Sequence, residues 1–251
     1  MTYSIYTTAD GREIAYQQTL GSGPGSGPGV VFLGGFKSDM TGTKAQFLQA
    51  WAEEHGRAFL RFDYTGHGAS SGRFEDGCIG EWLRDAIDII TEKTTGRQVL
   101  VGSSMGGWIA LLLARTMPER LAGFIGIAAA PDFTEDSMWA SFSAEQRREL
   151  EENGRVNLPS DYDDGPYVIT KKLIEDGRNH LVLRDELRIN VPVRLLQGSA
   201  DTDVPPAVAK RLFEHMQGAD IRVILVKNAD HRFSGHAELA LLRSTLEDIV
   251  N

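Results

Sequence analysis

The sequence is poor in cysteine. Among its 251 residues, Cys78 is the only one. No disulfide can therefore form within the chain, and a cysteine-rich metal site is excluded. This cysteine content fits a reducing compartment. No pair of basic residues stands beside Cys78 in the sequence, which favours a passive thiol over a reactive one.

Long hydrophobic runs and basic runs are also lacking. No segment reaches the roughly 18 apolar residues that are needed to cross a bilayer. The N-terminal residues 1–6 show neither the pattern of a secretory signal nor that of an arginine-rich presequence, so we expect a cytoplasmic protein. The formal net charge is −9 and lysine and arginine are not clustered, which makes nucleic acid and anionic membranes poor partners.

The sequence does contain the alternating pattern of an α/β protein. Hydrophobic residues make up 41% of the chain, and the length suits one domain spanning residues 1–251. Two β-prone runs joined by Asp10 and Gly11 predict a hairpin, and the glycine-rich residues 21–29 predict a loop. Buried strands are then predicted at 30–33, 58–62, 98–101, 123–128, 193–197 and 221–226, alternating with helices at 43–54, 79–92, 105–115, 205–218 and 237–249. Continuous apolar strands between helices indicate a mostly parallel sheet with helices on both faces.

This alternation is interrupted at about residues 131–191. Ser143 and Gln146 form a capping-box pattern that opens a charged helix ending near Gly154. A loop is predicted at 159–166 and a second helix at 170–176. Because no buried strand is predicted in this stretch, we interpret it as a helical lid inserted over the carboxyl edge of the sheet.

The motif Gly102-Ser103-Ser104-Met105-Gly106 lies between a predicted strand and a predicted helix. It has the form G-x-S-x-G, in which a tight strand-to-helix turn presents the serine hydroxyl at the end of a parallel sheet. The N-terminus of the following helix directs its positive end to the same place. Ser104 is therefore the candidate nucleophile, whereas the three-residue pattern alone would also fit a plain turn.

A serine nucleophile needs a base and an acid that orients the base. Asp201 follows the strand at 193–197, and His231 follows the strand at 221–226, so all three side chains are expected at one edge of the sheet. Asp203 is the alternative acid, but it precedes a helix, where a carboxylate usually caps free N–H groups. Four other histidines are assigned to surface, helix-end or lid positions: His55, His180, His215 and His236.

Charge on the attacked carbonyl oxygen requires donors aimed at it. The backbone N–H of Met105, next to Ser104, is one candidate. The second is the backbone N–H of Phe36, because Gly34 and Gly35 allow close approach of the chain after the first buried strand. This scheme needs no metal or organic cofactor.

The interrupted region also carries large apolar residues. A functional interpretation makes them the wall of an acyl-chain pocket, and the alternative is that they only pack the lid onto the sheet. Trp108, one turn after Ser104, is expected in the core. The residues concerned are Met138, Trp139, Phe142, Leu150, Tyr162 and Tyr167.

With these residues placed, nearly the whole chain resembles the α/β-hydrolase superfamily. The segment Asp63 to Ser70 is similar to the family's turn after the fourth strand, in which the histidine, here His67, has a structural role. The segments 41–45, 61–64, 101–108 and 230–232 resemble the branch of mitochondrial acyl-protein thioesterases that also cleave acyl glucuronides, together with its bacterial relatives. The resemblance implies Ser104, Asp201 and His231 as a triad that hydrolyses esters or thioesters. Gly34-Gly35 replaces the His-Gly of many members, which matters little for a contact made by the backbone.

The expected substrate is thus a small ester, an acyl thioester or an acylated protein. A serine peptidase or a carbon–carbon hydrolase would use the same triad. A non-catalytic relative that binds a ligand usually lacks a triad member, and a dehalogenase would have aspartate in place of Ser104.

Overall fold

The N-terminal residues form the predicted hairpin. In a computed structural model that describes residues 2–22, 27–158 and 167–250, β1 (Ser4–Thr7) pairs in antiparallel fashion with β2 (Glu13–Thr19). Gly11 at the turn has φ of +86°, a value that glycine adopts without strain. Of the predicted loop at 21–29, residues 23–26 lie outside the described residues.

Strands and helices then alternate as the apolar pattern predicts. The observed bounds are β3 (Gly29–Leu33), α1 (Thr43–Glu54), β4 (Phe59–Phe62), α2 (Ile79–Lys93), β5 (Gln98–Ser103), α3 (Met105–Thr116) and β6 (Leu121–Ile127). The alternation resumes later in the chain with β10 (Val193–Gly198), α6 (Pro206–His215), β11 (Met216–Gln217), β12 (Ile221–Val226) and α7 (His236–Val250).

The stretch between β6 and β10, here called the β6–β10 segment, contains helices and short strands. Its elements are a π-helical turn (Thr134–Trp139), α4 (Ala144–Asn153), β7 (Arg155–Leu158), β8 (Tyr167–Thr170), α5 (Lys171–Arg178) and β9 (Leu187–Arg188). The capping box is present, since Ser143 and Gln146 bond reciprocally, and Gly154 ends α4 in the left-handed conformation. The loop predicted at 159–166 lies outside the described residues.

Two details of these elements correct the sequence-based expectations. The region expected to be purely helical includes the antiparallel pair β7 and β8. Because these strands are short and partly exposed, their sequences lack the continuous apolar run that marks a buried strand. The helix expected to end at Gly218 ends at His215, because Met216 and Gln217 pair with β9 instead.

Eight strands form the central sheet, in the order β1-β2-β4-β3-β5-β6-β10-β12. β2 is antiparallel to both of its neighbours, and every adjacent pair from β4 to β12 is parallel. The chain passes from β3 outward to β4 and then returns to β5 on the other side of β3. This reversal opens a crevice at the carboxyl ends of β3 and β5, where open α/β sheets bind ligands.

Buried apolar clusters cover the sheet on both faces. One contains Trp82 of α2 and Trp108 of α3, both fully buried. The other contains Trp51 of α1 and Leu246 of α7. The prediction of a parallel sheet between helical layers is confirmed, as is the core position of Trp108. In the part of the chain that the structure describes, none of the helices has the length and apolar character required to cross a membrane.

Candidate active site

Ser104 stands in strained backbone between β5 and α3. Its φ and ψ are +53° and −117°, a conformation that is costly for a residue with a Cβ. Hydrogen bonds hold it there. Its N–H donates to the carbonyl of Ile127 at the end of β6 (2.9 Å), and its own carbonyl accepts from the N–H groups of Gly107 (2.9 Å) and Ala130 (3.1 Å).

The two flanking glycines allow this turn to close. A Cβ on Gly102 would lie 2.4 Å from the carbonyl oxygen of Gly106, and one on Gly106 would lie 2.1 Å from the carbonyl oxygen of Leu33. Both contacts are with backbone atoms, which cannot move aside as a flexible side chain could. The spacing of the G-x-S-x-G motif therefore follows from backbone packing between β3, β5 and α3.

His231 and Asp201 meet across the loops after β12 and β10. The His231 Nδ1 atom lies 3.0 Å and 3.1 Å from the two carboxylate oxygens of Asp201. The Asp201 carboxylate also accepts from Gln197 Nε2 (2.9 Å) and from the N–H groups of Asp203 (3.0 Å) and Val204 (2.8 Å). Burial alone would raise the pKa of Asp201, but the bonds from His231, Val204 and Gln197 outweigh it and lower the pKa below its usual value.

Between the two aspartates considered from the sequence, it is Asp201 that contacts His231. Asp203 instead supplies a backbone donor to the Asp201 carboxylate and lines the neighbouring cavity. The N-cap position of α6 belongs to Pro205 rather than to Asp203.

Ser104 and His231 line one cavity of about 540 Å³. This volume is in the range of small-molecule sites. Gly34, Gly35 and Phe36 border it from the loop between β3 and α1, here called the β3–α1 loop. The β6–β10 segment contributes five residues to the wall: Ala130, Phe133, Ser137, Met138 and Tyr167.

The two expected backbone donors come from the start of α3 and from the β3–α1 loop. Met105 is the first residue of α3, where the N–H groups of a helix have no acceptor within it. Phe36 lines the cavity and is followed by Lys37, which has φ of +57°. Met105 directly follows Ser104 in the chain, and Phe36 follows Gly35, on which a Cβ would lie 3.5 Å from the Cβ of Ser104. This placement fits an oxyanion hole.

The large residues of the β6–β10 segment divide between the two interpretations made from the sequence. Met138 and Tyr167 line the cavity, whereas Phe142 and Leu150 are buried in the core. The guanidinium groups of Arg147 and Arg178 lie over the Trp139 ring, 5.0 Å and 4.8 Å from its centroid. Tyr162 falls outside the described residues.

The remaining histidines have contacts away from the cavity or beneath it. His55 stacks on Trp51, His180 pairs with Asp176, and His215 contacts the carbonyl of Asp185. His236 begins α7, and His67 is buried beneath the β3–α1 loop. Cys78 is buried, and burial raises the pKa of its thiol to about 12, in keeping with a passive role.

Three basic residues at the cavity were not predicted from the sequence. Lys37, Lys44 and Arg232 all line it. The Lys44 ammonium donates to the carbonyl of Arg232, the residue that follows His231. Burial lowers the pKa of Lys44 to about 8. A lysine at the start of a helix is common on protein surfaces. The one sequence signal for Lys44 is that it lies close after the Gly34-Gly35 turn, which was expected at the site.

Backbone strain is concentrated at this edge of the sheet. In the described chain, every non-glycine residue with positive φ follows β3, β5, β6 or β12 at its carboxyl end. These residues are Lys37, Ser104, Ala128, Asp132, Asn228 and Phe233. Such clustering is typical of functional sites.

Comparison with known proteins now identifies the family. The sequence model of the alpha/beta hydrolase family matches residues 30–241. The chain belongs to the alpha/beta hydrolase family. The human mitochondrial palmitoyl-protein thioesterase ABHD10 is 36% identical to this alpha/beta hydrolase over 249 residues, which cover 99% of this chain and 80% of the human protein.

Solved structures agree with this assignment. A structure from Agrobacterium vitis S4 superposes with a TM-score of 0.94 at 37% identity, covering 100% of both chains. Mouse alpha/beta hydrolase domain-containing protein 10 superposes with a TM-score of 0.90 at 33% identity, covering 100% of this chain and 98% of the mouse chain. The fold predicted from the sequence is therefore confirmed.

Proposed function

We propose that this alpha/beta hydrolase cleaves acyl esters or thioesters through an acyl-serine intermediate on Ser104. Its family and its relatives make it an ester or thioester hydrolase. The observation that carries the mechanism is that Ser104 and His231 line the same cavity. Asp201 contacts His231 at Nδ1, which leaves Nε2 available for the serine.

In the proposed first half-reaction, His231 removes the proton from the Ser104 hydroxyl, which attacks the substrate carbonyl. His231 then gives that proton to the leaving alcohol or thiol. In the second half-reaction a water molecule repeats the sequence and releases the acid. Asp201 keeps the proton of His231 on Nδ1 and stabilises the imidazolium that forms.

The proposed oxyanion hole consists of the N–H groups of Phe36 and Met105. Both are backbone donors held by the fold, so they require little reorganisation when charge develops. Removal of one such donor typically costs about 10²–10³ in kcat, so the β3–α1 loop should contribute to turnover although it carries no triad residue.

The first prediction concerns Ser104. Ser104→Ala should reduce hydrolysis of a p-nitrophenyl ester by several orders of magnitude, because the nucleophile is lost, while circular dichroism and Tm stay close to those of the parent. Labelling by a fluorophosphonate should disappear as well. Ser244→Ala, on the exposed face of α7, serves as the matched control and should retain both properties. Turnover by Ser104→Ala at the parent rate would refute the mechanism.

We further propose that the acyl chain lies against Phe133, Met138 and Tyr167. Support comes from their position on the cavity wall beside Ser104 and from the name of the mammalian relatives, palmitoyl-protein thioesterases. The β6–β10 segment would then act as a lid that shapes chain-length preference, within a single domain.

The second prediction tests this wall. Across a series of acyl thioesters from two to sixteen carbons, the parent should show a distinct optimum in kcat/KM. Met138→Trp should shift the optimum to shorter chains, since the larger side chain fills the cavity. The control Trp139→Phe should leave the profile unchanged, because Trp139 faces two arginines instead. Equal activity at all lengths would contradict the assignment.

The cytoplasmic location expected from the sequence stays a prediction. The mammalian relatives carry the word mitochondrial in their names, and one buried cysteine suits either reducing compartment. Fractionation of source cells followed by immunoblotting would decide between the two.

A further inference from the structure

His67 lies directly beneath the β3–α1 loop. Only 3% of the residue is exposed. Its Nε2 accepts a hydrogen bond from the backbone N–H of Lys37 (3.2 Å), and its Nδ1 lies 3.3 Å from the carbonyl oxygen of Thr65. A carbonyl oxygen can only accept, so the ring proton belongs on Nδ1 and the lone pair of Nε2 faces Lys37.

Burial keeps this ring neutral. The apolar surroundings lower the pKa of His67 to about 4. At neutral pH, Nε2 is therefore an acceptor in nearly every molecule. A protonated ring would carry N–H groups on both nitrogens and could not accept from the Lys37 N–H.

The Lys37 N–H belongs to the peptide that directly follows Phe36. Lys37 has φ of +57°, which residues other than glycine rarely adopt. An outside partner is needed to hold such a conformation, and the hydrogen bond to His67 provides one. The orientation of the Phe36–Lys37 peptide is thus linked to the His67 ring.

The side chain of Phe36 rests on the same support. Its ring centroid lies 4.8 Å from that of Phe74 and 6.0 Å from that of Trp82. The His67 ring lies 5.1 Å from each of these two rings. Backbone and side chain of the β3–α1 loop therefore meet one buried aromatic cluster, in which His67 accepts a hydrogen bond from the loop.

We propose that His67 is a positioning residue for the oxyanion hole, holding the β3–α1 loop so that the Phe36 N–H faces the substrate carbonyl oxygen. The proposal rests on the proposed function, in which Phe36 is an oxyanion donor. Such a donor acts most strongly in the transition state, so loss of its positioning lowers kcat and leaves KM nearly unchanged.

Three variants separate the effect of the Nε2 hydrogen-bond acceptor of His67 from the effect of its ring packing. His67→Phe keeps a ring in the aromatic cluster but offers no acceptor, and His67→Leu is a second acceptor-free variant. His67→Gln places an amide oxygen near the position of Nε2. The matched control is Tyr64→Phe, whose ring lies 5.6 Å from that of His67 and whose buried hydroxyl has no hydrogen-bond partner among the described residues.

With a p-nitrophenyl ester as substrate, His67→Phe should lower kcat by about 10- to 100-fold with KM within about twofold. His67→Gln should recover at least a third of the lost activity on a logarithmic scale, and Tyr64→Phe should match the parent. Equal kcat for His67→Phe and His67→Gln would overturn the proposal, and His67→Leu replaces His67→Phe in this comparison if the latter does not fold. Failure of the proposed function is a separate result, since it would appear as turnover by Ser104→Ala in the same assay.

Discussion

Lys44 occupies an unusual position for a lysine. It lines the cavity of Ser104, and its ammonium donates to the carbonyl next to His231. Asp230 and Arg232 act on its charge in opposite directions, and burial is the larger influence, so its pKa falls to about 8. The charged form of Lys44 is therefore less stable in the folded protein than in water, while its hydrogen bond helps to fix the loop that carries His231.

Lys44→Met should consequently raise stability and lower activity. We expect a higher Tm at pH 7, because a poorly solvated charge is removed, and a decrease of roughly tenfold in kcat/KM, because small displacements of His231, the proposed base, are costly. The pKa of Lys44 is lower in the folded than in the unfolded chain, so the parent gains stability as the pH rises from about 8 towards 10.5. The Tm difference should shrink over that range.

Thermal melts and ester kinetics between pH 7 and 10 check this prediction. Lys210→Met is the control, since Lys210 is exposed and pairs with Glu214 on α6; neither Tm nor kcat/KM should change appreciably. A Tm difference for Lys44→Met that stays constant with pH would show that its charge is not the cause.

The sequence points to the proposed triad more readily than to the residues that support it. Ser104, Asp201 and His231 could be named because each follows a predicted strand at a position where side chains converge. His67 and Lys44 act through backbone atoms of loops distant in the chain, and such contacts leave no local pattern. The bonds from Gln197 and Val204 to Asp201 are hidden for the same reason.

At the scale of elements, Asp132 connects the beginning of the β6–β10 segment to its later part. The residue is fully buried, and its carboxylate accepts from the N–H groups of Val182 (2.8 Å) and Leu183 (3.0 Å) and from Arg184 (3.2 Å). The first residues after β6 are thereby joined to the last part of the segment. One side chain therefore links parts of the segment that lie 50 positions apart in the chain.

Asp132→Ala should increase local unfolding of this segment more than it increases unfolding of the central sheet. Two buried N–H groups lose their acceptor, at about 1–3 kcal/mol each, and relief of the buried carboxylate offsets part of that cost. We expect a net loss of about 2 kcal/mol in the free energy of unfolding by urea titration, and faster proteolytic cleavage within residues 133–181.

Asp136 provides the comparison for this variant. It pairs with Arg184 and Arg211 but is partly exposed, so Asp136→Ala should cost less than about 1 kcal/mol. If both substitutions changed stability equally, the base contact of Asp132 would have no special role.

Element boundaries were predictable where apolar residues or caps mark them. α1 follows its amphipathic pattern from Thr43 to Glu54, and Ser143 and Gly154 bracket α4. The β7 and β8 pair was not predicted, because its stability comes from pairing between strands and not from a buried apolar run. β11 likewise exists only because β9 lies beside it.

At the scale of the whole molecule, acid should reduce stability through His67. The ring titrates near pH 6.5 in the unfolded chain and at about 4 in the folded protein. The unfolded chain therefore binds the extra proton over that interval, and the free energy of unfolding decreases as the pH falls from 6.5 to 4. The shift corresponds to about 3 kcal/mol.

Urea titrations at pH 7, 5.5 and 4 of the parent and of His67→Phe measure this contribution. The parent should lose more stability than the variant over this range, because the variant has no ring to protonate. Parallel curves for the two proteins would mean that other groups cause the acid sensitivity.

The buried position of Cys78 has a practical consequence for work on this hydrolase. Its thiol is inaccessible and, with a pKa of about 12, carries almost no thiolate, so maleimide reagents will pass it over. Thr95 is exposed in the turn before β5, at the end of that strand opposite to Ser104, roughly 20 Å away by strand length. A cysteine introduced by Thr95→Cys would give a single attachment point for a dye or a solid support, with the substrate entrance still open to solution.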